Sequence, residues 1–514
     1  MIPCPRSDQA SIDVADARLP SEPNTSVLNM DAADMTTLAG AALTSGRMEV
    51  MSLTATYGFT VQELQAATFG SRPVKTWLHE HVHAYQGMTT SYGYYTTMLR
   101  LYQNTRVVRI IREIGSASAR LEPPLLDQIR RLKGPARARA QENAQAWYTV
   151  ELLLMYLEGD LDRYSRLVTS SSDGRSFAAQ FAEVEENMIA YFKADLHNIS
   201  PTTTSPLLRE DRMLDEQILS WKFWAGDGGG DVRSVLESGA LATEWWRAWP
   251  STFEELKSSM PSITLYSRWI HHAMKVLDAP DPRSLLLTYS ALVDLALNPP
   301  ILPHHADLRA PGMLSGEMNP FWRLITSMQM VSSAGVPIIR DFENDYIRFN
   351  QSLCDLLGWP TPMTIASASS ERLPNALHMP DPMTANYSLA SFLRGQDPVV
   401  FLDMDVWWDS SEPAKAFCGK FTHPVVQLAG DGAFFSSTPQ DSITYVEQFL
   451  LHRYFNQIMT SKSRPLPPIE LPFNAFQGEV DIYTSKMEQT IRRRTGLMHP
   501  QVRLAAGAVR AHMD

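Results

Sequence analysis

The chain has 514 residues, 44% of them hydrophobic and 20% charged, a balance that builds at least one large buried core and excludes a fibrous or disordered protein. Its 45 basic and 56 acidic residues leave a net charge of −11, which repels phosphate backbones and argues against a nucleic-acid partner. Three cysteines, Cys4, Cys354 and Cys418, are too few and too scattered for a disulfide framework.

The N-terminus lacks an apolar core behind a basic head, so no secretory signal is expected. The longest apolar stretch, from Leu285 to Leu297, is short and carries Asp294, so no membrane span is expected either. These features together point to a cytoplasmic protein.

Residues 1–45 are rich in Ser, Asp, Ala and Pro and read as a loosely ordered segment. A short strand is expected within 47–60, followed by a helical pattern over 61–192 in which Trp147, Val150, Leu153, Leu154 and Leu157 mark one apolar face. Residues 198–206 read as an exposed connection and 226–231 as a second break. Proline-rich intervals at 299–311 and 360–382 are expected to be irregular. The runs 399–402 and 425–428 are expected strands, and 442–459 is helical again.

One segment carries chemistry: Trp77-Leu-His-Glu-His-Val-His-Ala-Tyr-Gln-Gly87. His79 and His83 are four residues apart, so on a helix their imidazoles stand one turn above each other and can converge on one metal ion. Glu80 lies roughly 100° further round, where a carboxylate reaches a metal-bound water instead of the metal. Leu78, Val82 and Tyr85 repeat at helical spacing on another face, Ser71 is positioned to cap the helix, and Pro73 suits its first turn. His81 points to the far side and reads as a surface or supporting histidine. Gln86, one turn beyond His83, is a candidate to orient a ligand.

The spacing His79-Glu80-x-x-His83 resembles the HExxH signature of the zincin metallopeptidases. That resemblance implies Zn²⁺ held by His79, His83 and a third protein ligand, with Glu80 as the catalytic base. The metzincin branch would carry Gly at 86 and His at 89, where this chain has Gln86 and Thr89. The gluzincin branch takes a glutamate from a later helix, within an ExxAxxxE pattern. Glu237, Ala240 and Glu244 stand in that register, with Ser238 then Gly239 where the family has a glycine directly after the ligand. Glu186 is the competing third ligand, and Glu244 the other acidic candidate for the ligand set or its support. His83 and Glu237 are 154 positions apart, and the stretch between them would then hold a helical insertion.

The pair Glu80-x-x-His83 also fits the ExxH unit of di-iron carboxylate bundles, which need a second such unit that the sequence lacks. An iron oxygenase built on the same residues, or a catalytically silent zincin-derived binding protein, are the alternatives. Asp403 and Asp405 after 399–402, with Asp431, resemble a haloacid dehalogenase-type phosphatase, but the 28 residues from Asp403 to Asp431 are too few for that fold. The doublets His271-His272 and His304-His305 read as core or surface histidines. Arg492-Arg493-Arg494 reads as a solvated helix end.

The expected fold is mainly α with a small β component: a zincin-like module at 46–250 with a helical insertion, and a mostly helical region at 251–514. The expected function is zinc-dependent hydrolysis of a peptide or small amide substrate, with no fixed expectation of oligomeric state.

Overall fold

The computed structural model describes residues 46–49, 51–117, 121–158, 231–260, 266–309, 315–373, 382–404, 424–429, 433–434, 439–473, 475–497 and 502–506. Residues 1–45, Glu186 and the connection at 198–206 lie outside the described residues, as do Asp405, Asp431 and nearly all of the break at 226–231. The chain is mainly helical with a small β component, and among the described residues no helix is long and apolar enough to cross a membrane.

The first strands are β1 (Gly46–Glu49) and β2 (Thr54–Tyr57), followed by α1 (Val61–Gln65), α2 (Arg72–Thr89), α3 (Ser91–Ala117), α4 (Leu125–Arg131) and α5 (Gly134–Glu158). After them come α6 (Val232–Thr243), α7 (Phe253–Ser259), α8 (Arg268–Val276), α9 (Pro282–Leu297), α10 (Pro320–Ala334), α11 (Phe342–Leu357), α12 (Pro362–Arg372) and α13 (Pro382–Gln396). The last elements are β3 (Val425–Gln427), β4 (Ala433–Phe434), α14 (Pro439–Thr460), β5 (Ile469–Glu470), α15 (Gln477–Thr495) and β6 (Leu504–Ala505).

The strand expected within 47–60 is a hairpin. β1 and β2 pair antiparallel, with Arg47 opposite Thr56, across a turn at 51–53. β2 then pairs in parallel with β3, Ala55 opposite Val426, and β3 pairs antiparallel with β4. A strand from the far end of the chain therefore completes the sheet beside the α2 helix.

Two local expectations are corrected. Residues 399–402 form turns: Leu402 N–H donates to Val399 O (2.7 Å), and Val399 N–H donates to Asp397 Oδ1 (3.2 Å). Those local bonds use the groups that a strand would have offered to a neighbour. The interval 360–382 contains α12, because Thr361 Oγ1 accepts from Thr364 N–H (3.1 Å) and Pro362 fits the first helical turn. Ser71 does precede α2, with Pro73 in its first turn, but its hydroxyl makes no capping bond.

The packing does not divide at residue 250. One apolar cluster runs from Tyr92 and Leu99 through Leu241 to Leu292 and Tyr387, and a second joins Ile110 and Trp147 to Leu450, Phe455 and Val502. The apolar stretch 285–297 forms the buried core of α9. Its one charge, Asp294, accepts from Arg394 Nη1 on α13 at 2.8 and 2.7 Å, and also from Tyr346 and Asn298. Both members of the pair are buried, so each charge depends on the other for solvation. Asp294→Ala should therefore cost about 3–5 kcal/mol of unfolding free energy in urea titrations, because it strands the Arg394 charge. Asp294→Asn, which retains an acceptor for the guanidinium, should cost less.

Among the described residues, His304 and His305 are buried and His452 is half-buried, and their hydrogen bonds go to neutral groups. His304 and His305 share the Ser369 hydroxyl at 3.2 and 2.7 Å, and His452 sits against Asn456 at 3.2 Å. Burial pushes His304 and His452 down to about 3 and His305 well below its ordinary value, with neighbouring positive groups adding to each shift. The unfolded chain takes up these protons near pH 6.5, whereas the folded chain refuses them until about pH 3, so stability is full above 6.5 and falls as the solution is acidified. The expected loss below pH 6.5 is about 1.4 kcal/mol per pH unit per histidine. Urea unfolding at several pH values should give that slope, and His452→Gln should flatten it by about one proton.

Candidate metal centre

Helix α2 presents His79, Glu80 and His83, and α6 presents Glu237 with Glu244 at its C-terminal end. Helix α6 starts where it does because Asp231 and Ser234 cap each other: Ser234 N–H donates to Asp231 Oδ1 at 2.7 Å and Asp231 N–H to Ser234 Oγ at 3.3 Å. The helices run antiparallel, since His79 meets Glu244 while Gln86, two turns further along α2, meets Leu236.

The donor atoms form a near-equilateral triangle. His79 Nε2, His83 Nε2 and Glu237 Oε2 are each 3.2 Å from the other two. Three ligands of a tetrahedral zinc ion at its usual bond lengths stand about 3.3 Å apart. This group could hold a metal ion, and the nitrogen and oxygen donors suit zinc or another divalent transition metal.

A surrounding shell fixes which face each ligand presents. His79 Nδ1–H donates to Glu244 Oε1 (2.9 Å). Gln86 Nε2 donates to Leu236 O (3.2 Å), so its Oε1 faces His83 and accepts from Nδ1–H at 2.9 Å. With Nδ1–H engaged in this way, each imidazole when neutral aims its Nε2 lone pair at the centre, the arrangement that metal ligation requires. Glu237 uses Oε2 toward the histidines, while Arg233 Nε lies 3.8 Å from its Oε1. Glu244 is thus a supporting acceptor for His79, and the sequence pattern Glu237-x-x-Ala240-x-x-x-Glu244 contains both a ligand and its neighbour's orienting group.

Electrostatics follow from the burial of so many ionisable groups together. Burial drives the Glu80 carboxyl upward, reinforced by Glu237 and Glu244 and opposed by the two histidines, for a net rise. At His79, burial pushes the imidazole down, but the bonds to Glu237 and Glu244 outweigh it and hold the ring protonated well above its ordinary range. Burial also opposes ionisation of Glu237, yet His83 and His79 keep its carboxylate charged well below the usual range. A proton thus occupies the centre when no cation does, and cation binding must release it.

One neighbour was not singled out in the sequence, and a second has surroundings other than expected. Tyr266, in the turn before α8, places its ring 5.8 Å from that of His79, and burial together with Glu237 pushes its phenol up to about 12. No spacing rule links it to α2. His81, read as a surface or supporting histidine, is buried: its Nδ1 lies 2.9 Å from the Tyr57 hydroxyl, and its ring stacks on Trp77 at 4.0 Å. It ties α2 to β2 and stays away from the metal donors. Tyr92, Tyr94 and Tyr95 are core residues of α3. No family model, curated protein or solved structure matches this chain.

If Glu244 and Gln86 orient the two imidazoles, Glu244→Ala and Gln86→Ala should each weaken zinc affinity by about 10- to 100-fold in chelator competition. Glu237→Ala, which removes a donor, should weaken it more than either.

Proposed function

We propose that the chain is a zinc-dependent hydrolase of peptide or amide bonds. The observation that carries this reading is the 3.2 Å triangle of His79 Nε2, His83 Nε2 and Glu237 Oε2, with Glu80 beside it and outside it. A bound zinc ion would acidify a coordinated water and polarise a substrate carbonyl.

The protein's own groups have separable tasks. His79, His83 and Glu237 would hold the ion, and Glu244 and Gln86 keep the imidazoles turned toward it. Glu80 is buried and its carboxyl is raised above its ordinary value, and as a carboxylate it would take a proton from water and return it to the departing amine. Tyr266 stays protonated at neutral pH and is the nearby phenol suited to donate to a carbonyl oxygen as it gains charge. Glu244 is committed to His79 Nδ1, which favours one ion over the paired carboxylate bridges of a di-iron centre.

Purified protein should contain about one zinc per chain by mass spectrometry, and His83→Ala should lose it. Glu80→Gln should keep the zinc while hydrolysis of a peptide library falls by about 10²- to 10⁴-fold, because only the proton acceptor has been removed. Full activity in Glu80→Gln would overturn the mechanism.

A further inference from the structure

On another face of α6 the chain forms a shallow cleft, whose empty space is about 600 Å³ when the open solvent at its mouth is included. His79, Glu80, His83, Glu237 and Glu244 do not line it; among the residues that do, Val82, Tyr85 and Thr89 lie off the His79–His83 stripe, while Gln86 and Thr90 continue that stripe beyond His83. Helices α9 and α13 and the turns at 399–404 close its other sides.

The lining has a definite chemistry. Trp246, Trp249 and Phe401 supply aromatic rings, the first two edge to face at 5.4 Å, and Val293 and Leu297 supply aliphatic surface. Asp294 and Arg394 also line the cleft, but they neutralise each other, so an ion gains no net attraction there. The hydroxyl hydrogens of Thr89 and Thr243 are committed to helix carbonyls, Tyr85 O and Ala240 O, each at 2.7 Å. Their oxygens therefore retain only acceptor capacity for a further hydrogen bond. Trp246, Trp249, Leu402 and Ser290 are only half-buried and form the mouth, whereas Ala242 and Thr243 are buried deeper inside.

We propose that this cleft is a ligand site, separate from the metal centre, for a small uncharged aromatic molecule bearing an N–H or O–H donor, as in an indole or a phenol. Rings stack against the tryptophans, and the donor meets the threonine oxygens. The proposal does not rest on the metal reading, although Gln86 borders the cleft with the same side chain that orients His83.

The test uses the full chain stripped of metal with EDTA, so that its outcome is independent of zinc. 5-Fluoroindole, followed by ¹⁹F NMR, should bind saturably at one site per chain. 5-Fluoro-1-methylindole, which has lost the donor, should bind about 5- to 10-fold more weakly, and 4-fluorobenzoate should not bind. Ser290→Phe, a change at a half-buried lining position that places a ring in the cleft, should abolish indole binding in protein whose circular dichroism and melting show that it is folded. Absence of indole binding to the native chain, equal binding of the methylated compound, binding of the benzoate, or undiminished binding to folded Ser290→Phe would each overturn the proposal.

Discussion

The centre depends on how tightly α6 can be gripped between α2 and α9. A Cβ at Gly239 would lie 2.7 Å from Val293 Cγ1 and 3.1 Å from Gln86 Nε2, so a larger residue there would push the helix away from one neighbour or the other. The Ser238 hydroxyl meets Tyr289 of α9 at 2.6 Å, and Trp269 donates to Ser234 at 2.8 Å, which fixes the rotation of α6 about its axis. Separation and rotation are what bring Glu237 within 3.2 Å of both histidines. Gly239, two residues after Glu237, thus governs the geometry of a site to which it contributes no atom.

That grip also creates an electrostatic problem that the site resolves in one direction. Three carboxyl groups and two imidazoles share a poorly hydrated space, and polar groups in such a place need partners. The outward nitrogens of both histidines are satisfied by Glu244 and Gln86, which leaves the inward donors facing one another. A divalent cation answers all three at once, whereas a proton can serve them only in part. Glu80 stands outside this arrangement, which on the proposed reading leaves it available for proton transfer.

The legibility of the site in the sequence follows the range of the interactions. His79, Glu80, His83 and Gln86 are related by helical spacing alone, so local sequence suffices to align them. Glu237 and Glu244 came from a pattern resemblance, and nothing in the intervening residues encodes how α6 meets α2. Tyr266 was not legible because its approach to His79 is set by the turn that precedes α8 and the packing of that helix. At His81 the angle round α2 was read correctly, but its surroundings were not: Tyr57 reaches it from a strand whose placement is a tertiary matter. The same limit applied at 399–402, where an apolar run looked like a strand although Asp397 begins a turn. At 361–372, attention to proline density hid the helix start written in Thr361-Pro362.

The parallel pairing of β2 with β3 has a consequence in time. Thr54 and Val425 are partners separated by roughly 370 residues of chain. At common rates of synthesis, about 20 to 75 s pass between the emergence of one and the other. Throughout that interval β2 has β1 on one side and no β3 on the other, while Tyr57, on the same strand, is already available to His81. The face of α2 that bears on the sheet is thus assembled in two instalments, the second arriving after most of the helical core has been made.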